Sequence, residues 1–236
     1  MLGETDVELR DLFLAEEPGR VLDRGVDFSV VDNTVAVGGR ALDLETPYGS
    51  HEQVLLSLHG RHQGDNAAVA LMAAEAFFDG ALGSEVVEEA FATVAIPGRI
   101  EVIGRSPLVL ADGGHTPEAA AALADALGSD FAGTNRRIFV IAMLGPRDEL
   151  EVLEALGVGA GDLVIACPAP SPRSLEVSRI TEAAASLGAD TEVAPDAADA
   201  VSRAVAVSLD DDLVVVTGTF YILDAARQVL SPEDPE

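Results

Sequence analysis

The sequence predicts an α/β protein in two parts. Residues 97–236 read as an open, mostly parallel, Rossmann-like sheet with helices on both faces, and residues 1–96 as a small antiparallel sheet with helices. Three observations carry this. After Pro97, strand-length apolar runs alternate with helix-length segments, the pattern of βα units. Several of those runs, among them Ile138–Ala142, Leu163–Ala166 and Leu213–Thr217, are apolar almost without interruption, as strands covered on both faces require. Before Pro97, apolar and polar residues alternate in short stretches separated by turn residues.

In chain order, Asp6–Glu17 carries Leu9, Leu12 and Phe13 at helical spacing and is ended by Pro18-Gly19. Val26, Phe28 and Val30 alternate with polar neighbours, and Asp32-Asn33-Thr34 offers a turn. Val35, Val37, Leu42 and Leu44 continue the alternation across Gly38-Gly39, and Val54–Leu58 adds a further apolar run. From Gln63 to Phe78 the chain is alanine-rich and apolar on several faces, the pattern of a buried helix; Ser84 then caps a second helix through Thr93. Beyond Pro97, Glu101–Ile103 and Leu108–Ala111 are short strands. A helix from Pro117, strand Ile138–Ala142, a helix from Asp148 and strand Leu163–Ala166 follow. A helix from Leu175, strand Thr191–Val193, a helix from Ala197, strand Leu213–Thr217 and a helix from Tyr221 complete a sheet of about five or six strands. Ser231–Glu236 reads as a frayed end.

Composition excludes much chemistry. Acidic residues number 41 against 14 basic ones, a formal net charge of −27. This argues against a nucleic-acid backbone or an anionic membrane as partner. The charge is even along the chain, −13 over residues 1–96 and −14 over residues 97–236. All 14 basic residues are arginine, so no lysine serves as a P-loop cation, a Schiff base or a metal-bridging carbamate. A lysine-free acidic surface suits a salty cytosol, where self-repulsion is screened, and equally a GC-rich genome that writes Arg for Lys. The single cysteine, Cys167, permits no internal disulfide and no cysteine-based metal cluster. No apolar run approaches the ~20 residues of a membrane span, and no basic-then-apolar leader opens the chain. The cytoplasm is the expected location.

Three islands hold candidate chemistry. At Leu108–Ala111, continuing through Asp112-Gly113-Gly114-His115-Thr116-Pro117, a strand runs into a glycine turn and a helix. Thr116 suits the N-cap and Pro117 the first helical position. Asp112 and His115 then project at a strand end beside a helix N-terminus, where ligands of open α/β sheets gather. The alternative is that Asp112 ties the turn and His115 is an exposed loop residue. In His59-Gly60-Arg61-His62-Gln63-Gly64-Asp65-Asn66, two histidines three residues apart lack a third ligand, so no metal site is expected. Asn66 lies one turn into the helix, where its amide needs a partner from backbone or ligand. In Pro97-Gly98-Arg99 the arginine is a candidate anion clamp or the partner of one of the many acids. Cys167, at a strand end, reads as a buried thiol.

Taken in order, His62-Gln63-x-x-Asn66, Pro97-Gly98-Arg99-x-Glu101 and Asp112-Gly113-Gly114-His115-Thr116-Pro117 resemble the latter half of folylpolyglutamate synthase/dihydrofolate synthase, in the Mur ligase superfamily. Leu2-Gly3-Glu4-Thr5-Asp6, Ser171-Pro172-Arg173 and Val216-Thr217-Gly218-Thr219 resemble further stretches of it. The resemblance implies that residues 1–96 are the incomplete tail of a Mur ligase central domain and residues 97–236 a Mur ligase C-terminal (glutamate ligase) domain. It implies an ATP-dependent ligase that activates a carboxylate as an acyl phosphate. The amine of glutamate or another amino acid then attacks, releasing ADP and phosphate.

By the same resemblance Asn66 bonds the adenine, Arg99 contacts the nucleotide phosphates and Asp112 accepts from the ribose hydroxyls. His115 is the catalytic candidate, and His62, Gln63, Arg147, Asp148 and Arg173 line the cleft or the amino-acid pocket. The implied substrates are ATP, glutamate and a pteroate or folate. Gly114 and Thr116 stand where the family usually has Ala and Asn, which keeps the cap and loses any contact from the asparagine amide. The family's P-loop, magnesium ligands and carbamylated lysine would precede Met1. The isolated chain is therefore expected not to turn over, and Mg²⁺ is expected only with that N-terminal half. An N-terminal P-loop domain or self-association is expected to cover apolar surface on the helix Gln63–Phe78. The alternative function is a non-catalytic Mur-ligase-like module that binds nucleotide or protein.

Overall fold

The computed structural model describes residues 1–16 and 19–230, so the expected helix end at Glu17-Pro18 and the expected fraying of Ser231–Glu236 lie outside the described residues. The chain forms two compact units, Met1–Ala95 and Ile96–Glu236. Among the described residues no helix is long and apolar enough to cross a membrane.

The first unit contains α1 (Val7–Ala15), β1 (Ser29–Ala36), β2 (Gly39–Thr46), β3 (Gly49–Leu56), α2 (Arg61–Phe78) and α3 (Ser84–Thr93). The three strands form an antiparallel meander in the order β1-β2-β3. Leu42, Leu44, Val54 and Leu56 point from it onto Ala67, Ala68, Leu71 and Met72 of α2 and Val87 of α3. The turn expected at Asp32-Asn33-Thr34 lies inside β1, beside a register shift between Val30 and Asp32. The chain turns instead at Val37-Gly38, where Gly38 takes φ 83°. Asn33 stays in the strand because its polar groups are satisfied there: its Nδ2 donates to the Arg61 carbonyl at 2.9 Å, and its own carbonyl accepts from Arg40 at 2.9 Å.

Other details of this unit also differ from expectation. The helix α2 starts at Arg61 and is buried along one stripe, with Gln63, Ala67, Leu71 and Glu75 four residues apart. On its other side Phe77 and Phe78 are 83% and 68% exposed. Ser84 is the first residue of α3 rather than its cap, which is Gly83. Capped by Asp6, α1 buries none of its residues: Leu9, Leu12 and Phe13 all face outward.

The second unit contains β4 (Glu101–Arg105), β5 (Leu108–Ala111), α4 (Pro117–Ser129), β6 (Arg137–Ile141), α5 (Glu149–Ala155) and β7 (Leu163–Ala166). After these come α6 (Val177–Ser186), β8 (Asp190–Val193), α7 (Ala197–Val207), β9 (Leu213–Thr217), a 3-10 turn (Phe220–Ile222) and α8 (Leu223–Leu230). The helix expected from Leu175 therefore starts at Val177, and the one expected from Tyr221 opens as a 3-10 turn. Six strands lie in the order β4-β5-β9-β6-β7-β8, with β4 antiparallel to β5 and the remaining pairs parallel. The continuous apolar runs have the cause expected of them. Phe139, Ile141, Leu213 and Val215 meet α4, α5 and α6 on one face, while Ile138, Val140, Val214 and Val216 meet α7 and α8 on the other. At the end of β7, Cys167 is buried, and burial with the nearby Asp196 charge pushes its thiol up to about 12. It carries almost no thiolate at neutral pH.

One ion pair ties the last helix to the first strand of this sheet. Arg227 of α8 donates from Nη2 to Glu101 Oε2 at 2.7 Å. That bond, helped by the Gly98 amide, holds the Glu101 carboxyl below the ordinary glutamate range. A lowered folded-state value contributes stability above the ordinary range and loses it as pH falls through the lowered one. Arg227→Gln should therefore cost up to about 1 kcal/mol at about pH 7, and the gap from wild type should close toward about pH 3. Urea unfolding of both proteins at the two pH values checks this; a pH-independent gap would refute it.

Candidate active site

The chain runs from β5 through α4, β6, α5, β7 and α6 along one face of the second unit's sheet. It then returns through α7 on the other face and inserts β9 between β5 and β6. This is a topological switch point, and ligands of open sheets bind at the carboxyl ends of the strands beside it. Those ends are Ala111, Thr217 and Ile141, and the loops they release carry most of the candidate residues.

The turn Pro97-Gly98-Arg99 is laced to the exit of β5. The Gly113 amide donates to the Gly98 carbonyl at 2.8 Å. The Ile100 amide donates to Asp112 Oδ2 at 3.0 Å, and the Gly114 amide to Asp112 Oδ1 at 2.7 Å. A Cβ on Gly114 would come within 2.6 Å of Asp112 Oδ1, so glycine here lets the carboxylate sit close over the amide. Ile100 is a buried β-branched residue at φ 49°, a conformation that costs about 1–3 kcal/mol and persists only when its surroundings enforce it. Its bond to Asp112 supplies that enforcement. The turn so held leaves Arg99 exposed, its guanidinium carbon 5.0 Å from the centroid of the Phe220 ring.

His115 and Arg147 belong to one cluster. His115 Nδ1 donates to the Gly113 carbonyl at 3.0 Å, which leaves Nε2 as the acceptor of the neutral ring. Arg147 donates to the His115 carbonyl. His115, Arg147, Arg173, Thr219, Phe220 and Tyr221 line a cleft of about 180 Å³. The Arg173 loop is pinned beside it, with Gly145 N–H to Arg173 O and Leu175 N–H to Met143 O both at 2.8 Å. Asp148 lines an adjoining cleft of about 270 Å³ with His115 and Arg147, and its Oδ1 also caps α5 through the amides of Leu150 and Glu151.

Arg136, Arg137, Arg179, Arg203 and Arg227 of this unit are paired with carboxylates. Arg99, Arg147 and Arg173 form no ion pair among the described residues.

In the first unit His62, Gln63 and Asn66 sit on the opening turns of α2. Gln63 is buried and its Oε1 accepts from Asn66 Nδ2 at 3.0 Å. His62 is half-buried, and Asn66 is exposed rather than enclosed by a buried helix, because α2 buries only one stripe. Among the described residues no group of three or more His, Cys, Asp or Glu is placed to hold a metal ion.

Three lining residues went unnamed in the sequence analysis as site residues: Thr219, Phe220 and Tyr221. The available signal was the strand exit at Gly218, which takes φ 96° and has no room for a Cβ against the Ala142 carbonyl at 2.4 Å.

The tie through Asp112 has a direct test. Asp112→Ala strands two buried amides, each worth about 1–3 kcal/mol, so the variant should lose about 2–6 kcal/mol. Asp112→Asn keeps one acceptor and should lose less. Denaturant unfolding of the two variants checks the order; equal and small losses would show that the carboxylate does not hold the turns.

With this geometry in view, comparison with known proteins is informative. The family model "Mur ligase, glutamate ligase domain" matches residues 98–220, a span that opens on the Arg99 turn and closes on Phe220. The dihydrofolate synthase/folylpolyglutamate synthase of Mycobacterium tuberculosis is 32% identical over 260 residues, covering 100% of this chain and 52% of its own length. A probable bifunctional folylpolyglutamate synthase/dihydropteroate synthase of Haloferax volcanii is 30% identical over 224 residues, 91% of this chain and 26% of its own. The solved structure of the Mycobacterium tuberculosis folylpolyglutamate synthase complexed with ADP superimposes with a TM-score of 0.88 at 29% identity, covering 99% of this chain and 55% of that one. The chain thus spans about half the length of the Mycobacterium tuberculosis synthase. With a switch-point sheet of the same architecture and a family match over more than half its residues, this chain belongs to the Mur ligase family and corresponds to the C-terminal half of folylpolyglutamate/dihydrofolate synthases.

Proposed function

We propose that this chain supplies the adenosine-binding and amino-acid-binding side of an ATP-dependent, folylpolyglutamate/dihydrofolate synthase-type ligase. In this reading residues 1–96 are part of the central domain and residues 97–236 the glutamate ligase domain. The observation that carries it is the laced turn. Asp112 and Gly113 hold the Gly98–Ile100 backbone so that Arg99 stands exposed at a switch point without a carboxylate partner among the described residues. A guanidinium fork in that position suits phosphate oxygens. The ADP bound in the Mycobacterium tuberculosis structure lends support.

The reaction joins a pteroate or folate carboxylate to glutamate. The γ-phosphate of ATP passes to the carboxylate, giving an acyl phosphate and ADP; the amine then attacks the acyl carbon, phosphate leaves and the amine proton is lost. Arg99 neutralises nucleotide phosphates during the transfer. The exposed amide of Asn66, already oriented by Gln63, offers a donor and an acceptor to the adenine edge. Asp112 serves the ribose hydroxyls as well as the turn. Arg147 and Arg173 favour the carboxylates of the incoming amino acid across their cleft, and His115 Nε2 is the acceptor available for its proton. These 236 residues contain no lysine, so a P-loop lysine would have to come from other polypeptide, as would the groups holding a Mg²⁺ ion, which would supply charge neutralisation at the transferred phosphate.

Titration calorimetry with ADP tests the assignment. Arg99→Ala should weaken ADP binding by about 10- to 100-fold, the worth of one or two charge-assisted hydrogen bonds, with an unchanged melting temperature. Wild-type affinity in the variant would remove Arg99 from the phosphate site.

A further inference from the structure

We infer that Phe220 is the positioning residue for Arg99, its ring holding the guanidinium where it meets the nucleotide phosphates; this rests on the phosphate role proposed for Arg99. An exposed arginine in water samples many rotamers, and ordering it on ligand binding costs affinity. Here the ring removes part of that freedom beforehand, since the guanidinium carbon lies 5.0 Å from its centroid, within range of a cation–π contact.

The ring is itself held in place by two glycines. A Cβ on Gly113 would lie 2.4 Å from the Phe220 ring atoms, and one on Gly98 would lie 2.8 Å from its Cε1. These same residues are joined by the Gly113 N–H to Gly98 carbonyl bond. The ring therefore seats on the pair of backbones that set the direction of Arg99. Its own backbone is fixed as well. Phe220 opens the 3-10 turn after Gly218, and the buried Thr219 caps that turn by accepting from the Tyr221 amide at 3.4 Å. Yet Phe220 remains 43% exposed, so it is not there to fill the core. With no carboxylate paired to Arg99 among the described residues, the ring is the contact that orders the side chain while leaving its charge and donors available to an anion.

The test uses the whole chain with Phe220→Leu, which keeps apolar bulk but not the π face, and Phe220→Tyr, which keeps the face. Two readouts are needed: ADP affinity by calorimetry, and the Arg99 Nε–Hε resonance without nucleotide, which senses the ring current. Phe220→Leu should weaken ADP about 3- to 10-fold and move the Arg99 resonance toward its free-peptide position. Phe220→Tyr should stay within about 2-fold of wild type on affinity and keep the resonance. In an Arg99→Ala background Phe220→Leu should have no further effect. The inference is overturned if the Arg99 resonance is the same in Phe220→Leu and wild type, if Phe220→Tyr loses as much affinity as Phe220→Leu, or if the two losses add in the double variant. If Arg99→Ala binds ADP like wild type, the phosphate role of Arg99 fails instead, and the resonance still decides whether the ring orders the side chain.

Discussion

A single buried carboxylate organises the candidate site. Asp112 leaves the sheet at the end of β5, where an ionised side chain out of water needs hydrogen bonds to compensate its lost hydration. It finds them in two backbone amides, one just ahead at Gly114 and one twelve residues earlier at Ile100. Satisfying the charge therefore fixes two turns at once. The Ile100 bond holds a β-branched residue in a left-handed conformation it would not adopt alone, and that conformation sets where Arg99 emerges. The sequence left open whether Asp112 ties the turn or meets a ligand. The tie is now visible, and any ligand role is exercised from within it.

Electrostatics shows why such a tie is useful here. A chain with a formal charge of −27 repels phosphates and carboxylates over most of its surface. Local attraction must come from arginines not already neutralised. In the second unit, many are neutralised: Arg137 is bound to Asp162, Arg203 to Glu192 and Arg227 to Glu101. Arg147 and Arg173 face one cleft at the carboxyl ends of the strands without an ion pair among the described residues, and Arg99 stands on the turn that Phe220, in the wall of that cleft, supports. Arg147 is held by the His115 carbonyl and Arg99 by a ring, rather than by carboxylates, which keeps their charge for a ligand.

How much of this was legible in the sequence follows from the range of the interactions involved. The β5 exit was readable because strand, glycine turn, Thr116 cap and Pro117 are all local, and Thr116 Oγ1 does accept from the Ala119 amide at 3.3 Å. The alternating faces of β6 and β9 were readable for the same reason. Asp32-Asn33-Thr34 misled because those residues favour turns on local grounds, whereas Asn33 is satisfied by Arg40 and Arg61 from elsewhere in the unit. The helix α2 misled because alanine carries little contrast between a covered and an open face. Ile100 gave no sign of a left-handed backbone, since its side chain argues for the opposite. The strand exit at Gly218 marks Phe220 as a loop residue at a strand end, but nothing local announces its seat on Gly98 and Gly113, which lie at the other end of the domain sequence.

The position of β9 explains why those distant residues meet. Had the last strand been added at the β8 edge, the sheet would have been continuous and equally well buried, but Thr219 and Phe220 would lie far from Asp112. Inserting it between β5 and β6 places its exit between theirs and moves α8 to the opposite face from α4. The two helices then diverge and leave a crevice above the strand ends. The same insertion delivers the Phe220 ring onto Gly98 and Gly113. The crevice and the support for Arg99 are thus one consequence of strand order, which is why glycines at Gly98, Gly113 and Gly218 are demanded by packing against this strand and its exit rather than by local turn geometry alone.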